Sequence, residues 1–258
     1  MNTQKTETRW FRAFNPTATS RVSLYCFPYG GSGPSIFREW PEQIASGIEV
    51  TGILYPGRES RVMEPLMEDI VAIAKAVLPY IAPRLERPFA FFGHSMGALI
   101  SFELTRLLSA EHDLVPEHIF MSGAGGPHII TEEPIHQLPD DEFLDALVYL
   151  NGMPQEVLRN RELLEYALPI IRNDFKACAE YRFMEGEPIS CPLTALGGID
   201  DPRVKPFHME QWQQHAPAGF DLHLLEGDHF FLEQNQQTIL NMINTTLGEK
   251  AYETSNGA

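Results

Sequence analysis

The stretch Pro88-Phe89-Ala90-Phe91-Phe92-Gly93-His94-Ser95-Met96-Gly97 decides how this chain is read. An apolar run enters it, and a stretch of helical character, residues 98–109, leaves it. The last five residues spell G-x-S-x-G between a strand and a helix. A serine on so tight a turn sits in strained backbone, and the flanking glycines leave room for it. Its Oγ then stands clear of the sheet edge, and the amide of the next residue points to where an oxyanion would form. Five letters alone recur by chance. The strand before and the helix after make Ser95 a candidate nucleophile rather than a solvent-facing serine on an ordinary turn.

Outward from this turn the pattern alternates. Residues 21–27 read as a short apolar strand closed by the glycine-rich Pro28-Tyr29-Gly30-Gly31-Ser32-Gly33. A helix start is expected at residues 35–40 and a second strand at 48–54. Residues 67–85 repeat apolar positions at helical spacing, with Ile70, Ile73, Ala74, Val77, Leu78 and Ile81 on one face. Pro79 and Pro83 are expected to bend or end that helix. Residues 118–122 form another strand. Alternating strands and helices call for an α/β fold, a mostly parallel sheet covered by helices on both faces.

The rhythm breaks at residues 138–183, which read as helix only. Asn151-Gly152-Met153-Pro154 marks a stop and restart. Phe143, Leu147 and Leu150 are candidates to turn inward. A helical block dropped into an α/β rhythm is expected to be an insertion over the sheet, a lid. Strands at 193–196 and 222–225 and helices near 205–215 and 231–247 resume the pattern. One domain over residues 9–247 is expected, with tails at 1–8 and 248–258.

A serine nucleophile on this kind of sheet takes its partners in the chain order Ser, Asp or Glu, His, each on a loop after a strand. Gly197-Gly198-Ile199-Asp200-Asp201-Pro202 and Glu226-Gly227-Asp228-His229-Phe230-Phe231 supply them. Of the nine histidines, His229 alone lies late enough at a strand-to-helix corner to serve as the base. His94 is read as structural. Asp200 and Asp201 compete for the acid; Asp201 is favoured because Pro202 restrains it to extended or turn backbone. Asp228 adjoins His229 and should diverge from the ring. An oxyanion hole needs two N–H donors. Met96 is the candidate for one and Gly30 for the other. No Gly-Lys-Ser/Thr follows the glycine loop, which argues against a phosphate site.

Taken together, Phe27-Pro28-Tyr29-Gly30-Gly31-Ser32, Tyr55-Pro56-Gly57-Arg58-Glu59, Gly93-His94-Ser95-Met96-Gly97, Leu168-Pro169, Arg172-Asn173-Asp174-Phe175, Cys191-Pro192-Leu193 through Gly198, and His229-Phe230-Phe231 resemble the type II thioesterases. These are the stand-alone editing enzymes of nonribosomal peptide and polyketide synthases. The resemblance runs from about residue 9 to residue 247. It implies an α/β-hydrolase fold with a helical lid. It also implies hydrolysis of acyl groups from the phosphopantetheine thiol of carrier proteins, without a cofactor of the enzyme's own. By position, the nucleophile falls on Ser95, the acid on Asp201 and the base on His229. The family usually has Ala where this chain has Gly30, and often Gly where it has Asp228. The alternative is an acyl-CoA or small-molecule carboxylester hydrolase on the same fold, since fold alone does not settle substrate.

Composition bounds the rest. The chain has 258 residues and a formal net charge of −16. That charge disfavours nucleic acid, whose phosphates need a basic surface. No run of about eighteen apolar residues exists, so no membrane span is expected. The polar N-terminus lacks a secretory h-region. Cys26, Cys178 and Cys191 are read as buried free thiols of a reducing cytoplasm, and no His/Cys cluster suggests a metal. A monomer is expected. Carrier proteins are commonly acidic, so docking should rest on local positive patches or apolar lid contacts. Arg58 and Arg61 lie nearest the active edge and are expected to be ordinary surface arginines.

Overall fold

The structure is a computed structural model. It describes residues 9–17, 19–86, 88–129, 134–153 and 155–253. Among these, seven strands form one sheet: β1 (Phe11–Ala13), β2 (Val22–Phe27), β3 (Ile48–Ile53), β4 (Phe89–His94), β5 (His118–Ser122), β6 (Leu193–Gly198) and β7 (Phe220–Leu225). Their order is β1-β3-β2-β4-β5-β6-β7. Only β1 runs antiparallel to its neighbour, β3; the other ladders are parallel. The three-residue β1 is too short to show a period of two, and the sequence does not reveal it.

The strands that carry the sheet's centre are buried along their whole length. Successive side chains point to opposite faces, so one apolar run feeds two cores. Tyr25, Phe27, Phe89 and Phe91 face the layer that holds α1 (Ile70–Ile81) and α2 (Met96–His112). Val22, Leu24, Cys26, Ala90 and Phe92 face Phe37, Trp40 and the last helix. This explains why the strands read as continuous apolar stretches rather than as an alternation.

Local chemistry sets the helix ends. Asp69 caps α1, its carboxylate accepting from the Ala72 amide at 2.6 Å, which satisfies one of the free N–H groups of the first turn. The helix passes Pro79 and stops at Ile81. The helix expected at residues 35–40 is instead a pair of single 3₁₀ turns, Pro34–Phe37 and Trp40–Glu42. The last helix, Gln236–Glu253, starts later than the pattern suggests and continues through residues 248–253, which the sequence assigned to a tail. Residues 1–8 and 254–258 lie outside the described residues.

Between β5 and β6 the chain is helical: α3 (Asp140–Tyr149), α4 (Gln155–Arg159) and α5 (Arg161–Glu180). Phe143, Leu147, Met153 and Ile171 make a small core of their own in this block. Phe143 and Leu147 therefore do turn inward, but toward α5. The block is not uniform. The first half of α5 is largely exposed, whereas Ile170, Ile171, Asp174, Ala177 and Ala179 are buried. Tyr181, just past its end, donates to the buried Glu103 carboxylate at 2.6 Å. The C-terminal half of α5 is thus tied to the body of the fold.

Candidate active site

Ser95 stands at the end of β4 with φ 54° and ψ −117°, a conformation that L residues avoid. The glycines on either side are sterically required. A Cβ at Gly93 would lie 2.4 Å from the Gly97 carbonyl, and one at Gly97 would lie 2.1 Å from the Phe27 carbonyl. The Ser95 amide donates to the Ser122 carbonyl at 2.7 Å, which pins the turn to the neighbouring strand end.

The structure brings the three sequence candidates together. His229 Nε2 is 2.9 Å from Ser95 Oγ, and His229 Nδ1 is 2.7 Å from Asp201 Oδ2. A carboxylate here can only accept, so Nδ1 carries the proton and Nε2 is left to accept from the serine. The other Asp201 oxygen accepts from the amides of Arg203 at 2.8 Å and Val204 at 3.0 Å. Burial raises the Asp201 carboxyl, but the hydrogen bond and charge of His229, with those two amides, hold it below its ordinary value. Asp200 is exposed. Its amide donates to the Gly227 carbonyl at 3.0 Å.

The loop bearing His229 is held from two sides. His94 is fully buried; its Nε2 lies 3.0 Å from the His229 carbonyl and its Nδ1 2.8 Å from Ser122 Oγ. A carbonyl only accepts, so Nε2–H donates to it and the serine hydroxyl donates to Nδ1. The ring is neutral: burial, then the proximity of His229, pushes it down to about 3. His94 is structural, as the sequence suggests, and its role is to seat the neighbouring histidine's backbone. Asp228 diverges from the His229 ring. One of its oxygens caps the Phe230 amide at 2.8 Å, and the other accepts from Asn151 Nδ2 at 2.9 Å. That second bond joins the helical block to the histidine loop.

Two cavities meet at Ser95, Met96 and Cys178. The wider, about 180 Å³, is walled by Leu99, Gly123, Ala124, Ile129, Tyr181 and Phe183. The narrower, about 30 Å³, runs past Gly30, Gly152, Ile171, Phe175, His229 and Phe230. Gly30 and Met96, the two candidate oxyanion donors, both line it. Cys178 is half-buried and faces both spaces, a placement that its isolated position in the sequence does not disclose.

The two arginines are not surface groups. Arg58 is 4% exposed and makes a two-pronged ion pair with Asp174 of α5, at 2.6 and 2.9 Å. Arg61 is 6% exposed; it lies over the Trp10 ring and bonds Glu64 and the Leu54 carbonyl. Asp174 lies 116 residues from Arg58 in the chain, so the sequence shows the pieces, Tyr-Pro-Gly-Arg-Glu and Arg-Asn-Asp-Phe, without their pairing. Neither arginine is available as an exposed docking patch.

A thioesterase-domain family model matches residues 22–247. Linear gramicidin dehydrogenase LgrE of Brevibacillus parabrevis is 43% identical over 249 residues, covering 95% of each chain. Gramicidin S biosynthesis protein GrsT of Aneurinibacillus migulanus is 39% identical over 233 residues, 90% of this chain and 91% of that one. Among solved structures, the type II thioesterase BorB from the borrelidin biosynthetic cluster superposes with a TM-score of 0.86 at 33% identity, covering 92% of this chain and 97% of its own. The dehydrogenase in the first name belongs to that protein; the family matched here is that of thioester hydrolases. With a serine at a strained strand–helix turn, a histidine and aspartate aligned behind it, and these relatives along nearly its whole length, the chain belongs to the thioesterase family, as a type II thioesterase of the α/β-hydrolase fold.

Proposed function

We propose that this protein hydrolyses acyl groups from the phosphopantetheine thiol of carrier proteins, clearing stalled or mis-primed chains from a nonribosomal peptide or polyketide synthase. The observation that carries the reading is the continuous line Asp201–His229–Ser95 at the junction of two cavities. Ser95 Oγ attacks the thioester carbonyl while His229 Nε2 takes its proton. Asp201 holds the imidazole tautomer and stabilises the imidazolium. The amides of Met96 and Gly30 receive the developing oxyanion. The C–S bond then breaks, and His229 returns the proton to the departing sulfur. Water, deprotonated by the same histidine, releases the acid from Ser95.

The two cavities support an assignment of the two ends of the substrate. His229 must reach the sulfur, so the leaving pantetheine arm enters on the side that His229 and Phe230 line, where the channel of about 30 Å³ has to widen to take it. The acyl group then occupies the wider cavity. Its volume of about 180 Å³ compares with the roughly 150 Å³ that accommodates benzene in an engineered apolar cavity, which favours short acyl groups. Of the helical block at residues 138–183, α3, α4 and the first half of α5 serve as the lid over this junction, while the second half of α5 stays fixed to the body.

The deciding comparison is one acyl group, for example propionyl, presented on a carrier protein, on CoA and on a short oxygen ester. A kcat/KM at least tenfold higher on the carrier supports the proposal. Equal values on carrier and CoA would move the enzyme to the acyl-CoA class.

A further inference from the structure

Asp174 lies on α5, outside the Ser-His-Asp line, yet it is fully buried and touches the oxyanion loop directly. Its Oδ2 accepts from the Gly31 amide at 2.7 Å and from Arg58 Nη1 at 2.6 Å; its Oδ1 accepts from Arg58 Nη2 at 2.9 Å. Arg58 Nη1 also donates to the Ser32 carbonyl at 3.1 Å. The Tyr29 carbonyl, in turn, accepts from both the amide and the hydroxyl of Ser32, at 3.1 and 2.7 Å. The loop from Tyr29 to Ser32 is therefore clamped at each peptide.

That clamp has a geometric result. The 29–30 peptide carries the Tyr29 carbonyl and the Gly30 N–H. No cis bond occurs among the described residues, so these two groups point in opposite directions. With the carbonyl held back on Ser32, the Gly30 N–H is turned away from Ser32, and Gly30 is a wall residue of the channel that Ser95, Met96 and His229 share. Gly31 itself has φ +82°, and a Cβ at Gly30 would come within 3.1 Å of Asp174 Cβ; the loop is seated hard under α5. A bare carboxylate this close would repel an oxyanion. The two-pronged pair with Arg58 cancels its charge while leaving it an acceptor for Gly31.

We propose that Asp174, neutralised by Arg58, is a positioning residue that holds the Gly30 N–H in place for the oxyanion and so ties oxyanion stabilisation to the seating of α5. The inference rests on the serine mechanism proposed above. It goes beyond it in making a helix of the overlying block, rather than the sheet edge alone, part of what orders the oxyanion hole.

The test compares two double variants that both remove the ion pair. In R58Q/D174N the Asn oxygen still accepts from Gly31. In R58M/D174L nothing does. Losing one oxyanion donor outright costs 10²–10³ in kcat. A donor left in place but unheld should cost about ten- to a hundredfold. R58M/D174L is therefore expected to fall by that factor in kcat with KM changed less than about threefold, and R58Q/D174N to retain at least ten times its kcat. The second readout is phosphonylation of Ser95 by a small fluorophosphonate, which uses the oxyanion hole and needs no carrier; its rate should fall in parallel. Equal kcat and equal phosphonylation rates in the two folded variants would overturn the inference while leaving the serine mechanism intact. No adduct on Ser95 of the unaltered enzyme would overturn the mechanism and this inference with it. A third measurement needs no variant. The Gly31 amide of the unaltered enzyme should exchange with solvent as slowly as the buried half of α5. Exchange at the rate of an open loop would overturn the proposal.

Discussion

Replacing Asp201 by Asn should cripple the enzyme, and replacing its neighbour Asp200 should not. Among the described residues the Asp201 carboxylate accepts three hydrogen bonds: Oδ2 from His229 Nδ1 at 2.7 Å, and Oδ1 from the amides of Arg203 and Val204 at 2.8 and 3.0 Å. An Asn in this place keeps its oxygen on the two amides, because only an acceptor can satisfy them. Its NH₂ then faces Nδ1. Two donors cannot meet, so the ring shifts its proton to Nε2 and loses the lone pair that must accept from Ser95. The fold survives and the base is disabled. The corresponding substitution in a serine protease lowers kcat by about 10⁴, which is about 5.5 kcal/mol of transition-state stabilisation. Asp200 is exposed, and its backbone rather than its side chain joins the loop, so D200N should stay within about twofold. The assay is kcat on an acyl carrier protein, with circular dichroism to confirm folding. A D201N variant within tenfold of D200N would refute the assignment of the acid and the tautomer argument together.

Stability should fall as the pH drops from 6.5 toward 3, because His94 is held near 3 in the folded protein and returns to its ordinary 6.5 on unfolding. The unfolded chain binds the extra proton throughout that window, at about 1.4 kcal/mol per pH unit for this one group. His215, lowered to about 4 by burial and by His128, adds a smaller share. Chemical denaturation of H94N as a function of pH should show a distinctly shallower slope; an unchanged slope would remove His94 from the account. Hydrogen exchange in α3 and α4 should be faster than in β4 and should slow when a non-hydrolysable acyl-pantetheine binds, whereas α5 from Ile170 onward should be protected throughout. Uniform core-like protection of all three helices, unchanged by ligand, would make the block a fixed wall. N151D keeps a residue that tolerates the Asn151 φ of 52° but sets a carboxylate against Asp228 where an amide donated. Exchange at residues 150–153 should rise several-fold for about 1 kcal/mol of lost bonding; no change would show that this bond does not hold the block down.

The site was legible because its chemistry is local in sequence. Gly93 to Gly97 encodes a turn that only glycines permit, and Asp201 and His229 follow strands whose apolar runs are plain. The sheet was legible for the same reason, except where a signal needs length, as in the three residues of β1. What escaped were pairings between distant residues. Arg58 read as a surface arginine because nothing near it in the chain is its partner; burial against Asp174 arises only when α5 packs over the loop after β2. Asn151 and Asp228 meet across 77 residues, and Cys178 faces the catalytic junction only because of the turn of α5. The uneven helical block is likewise a tertiary fact. Leu164, Ala167 and Leu168 in the first half of α5 are only partly buried, against the small core of the block, whereas the second half packs onto the body of the fold.

The most direct test of the whole account is release of an acyl group from a phosphopantetheinylated carrier protein by the enzyme and by S95A, followed by intact mass of the carrier. The Ser95 side chain makes no helix-capping bond and the residue is half-buried, so the variant should fold as the parent does. The account predicts that the parent strips the acyl mass from the carrier over many turnovers and that S95A leaves it in place, slower by several orders of magnitude. Hydrolysis by folded S95A within about tenfold of the parent would contradict it.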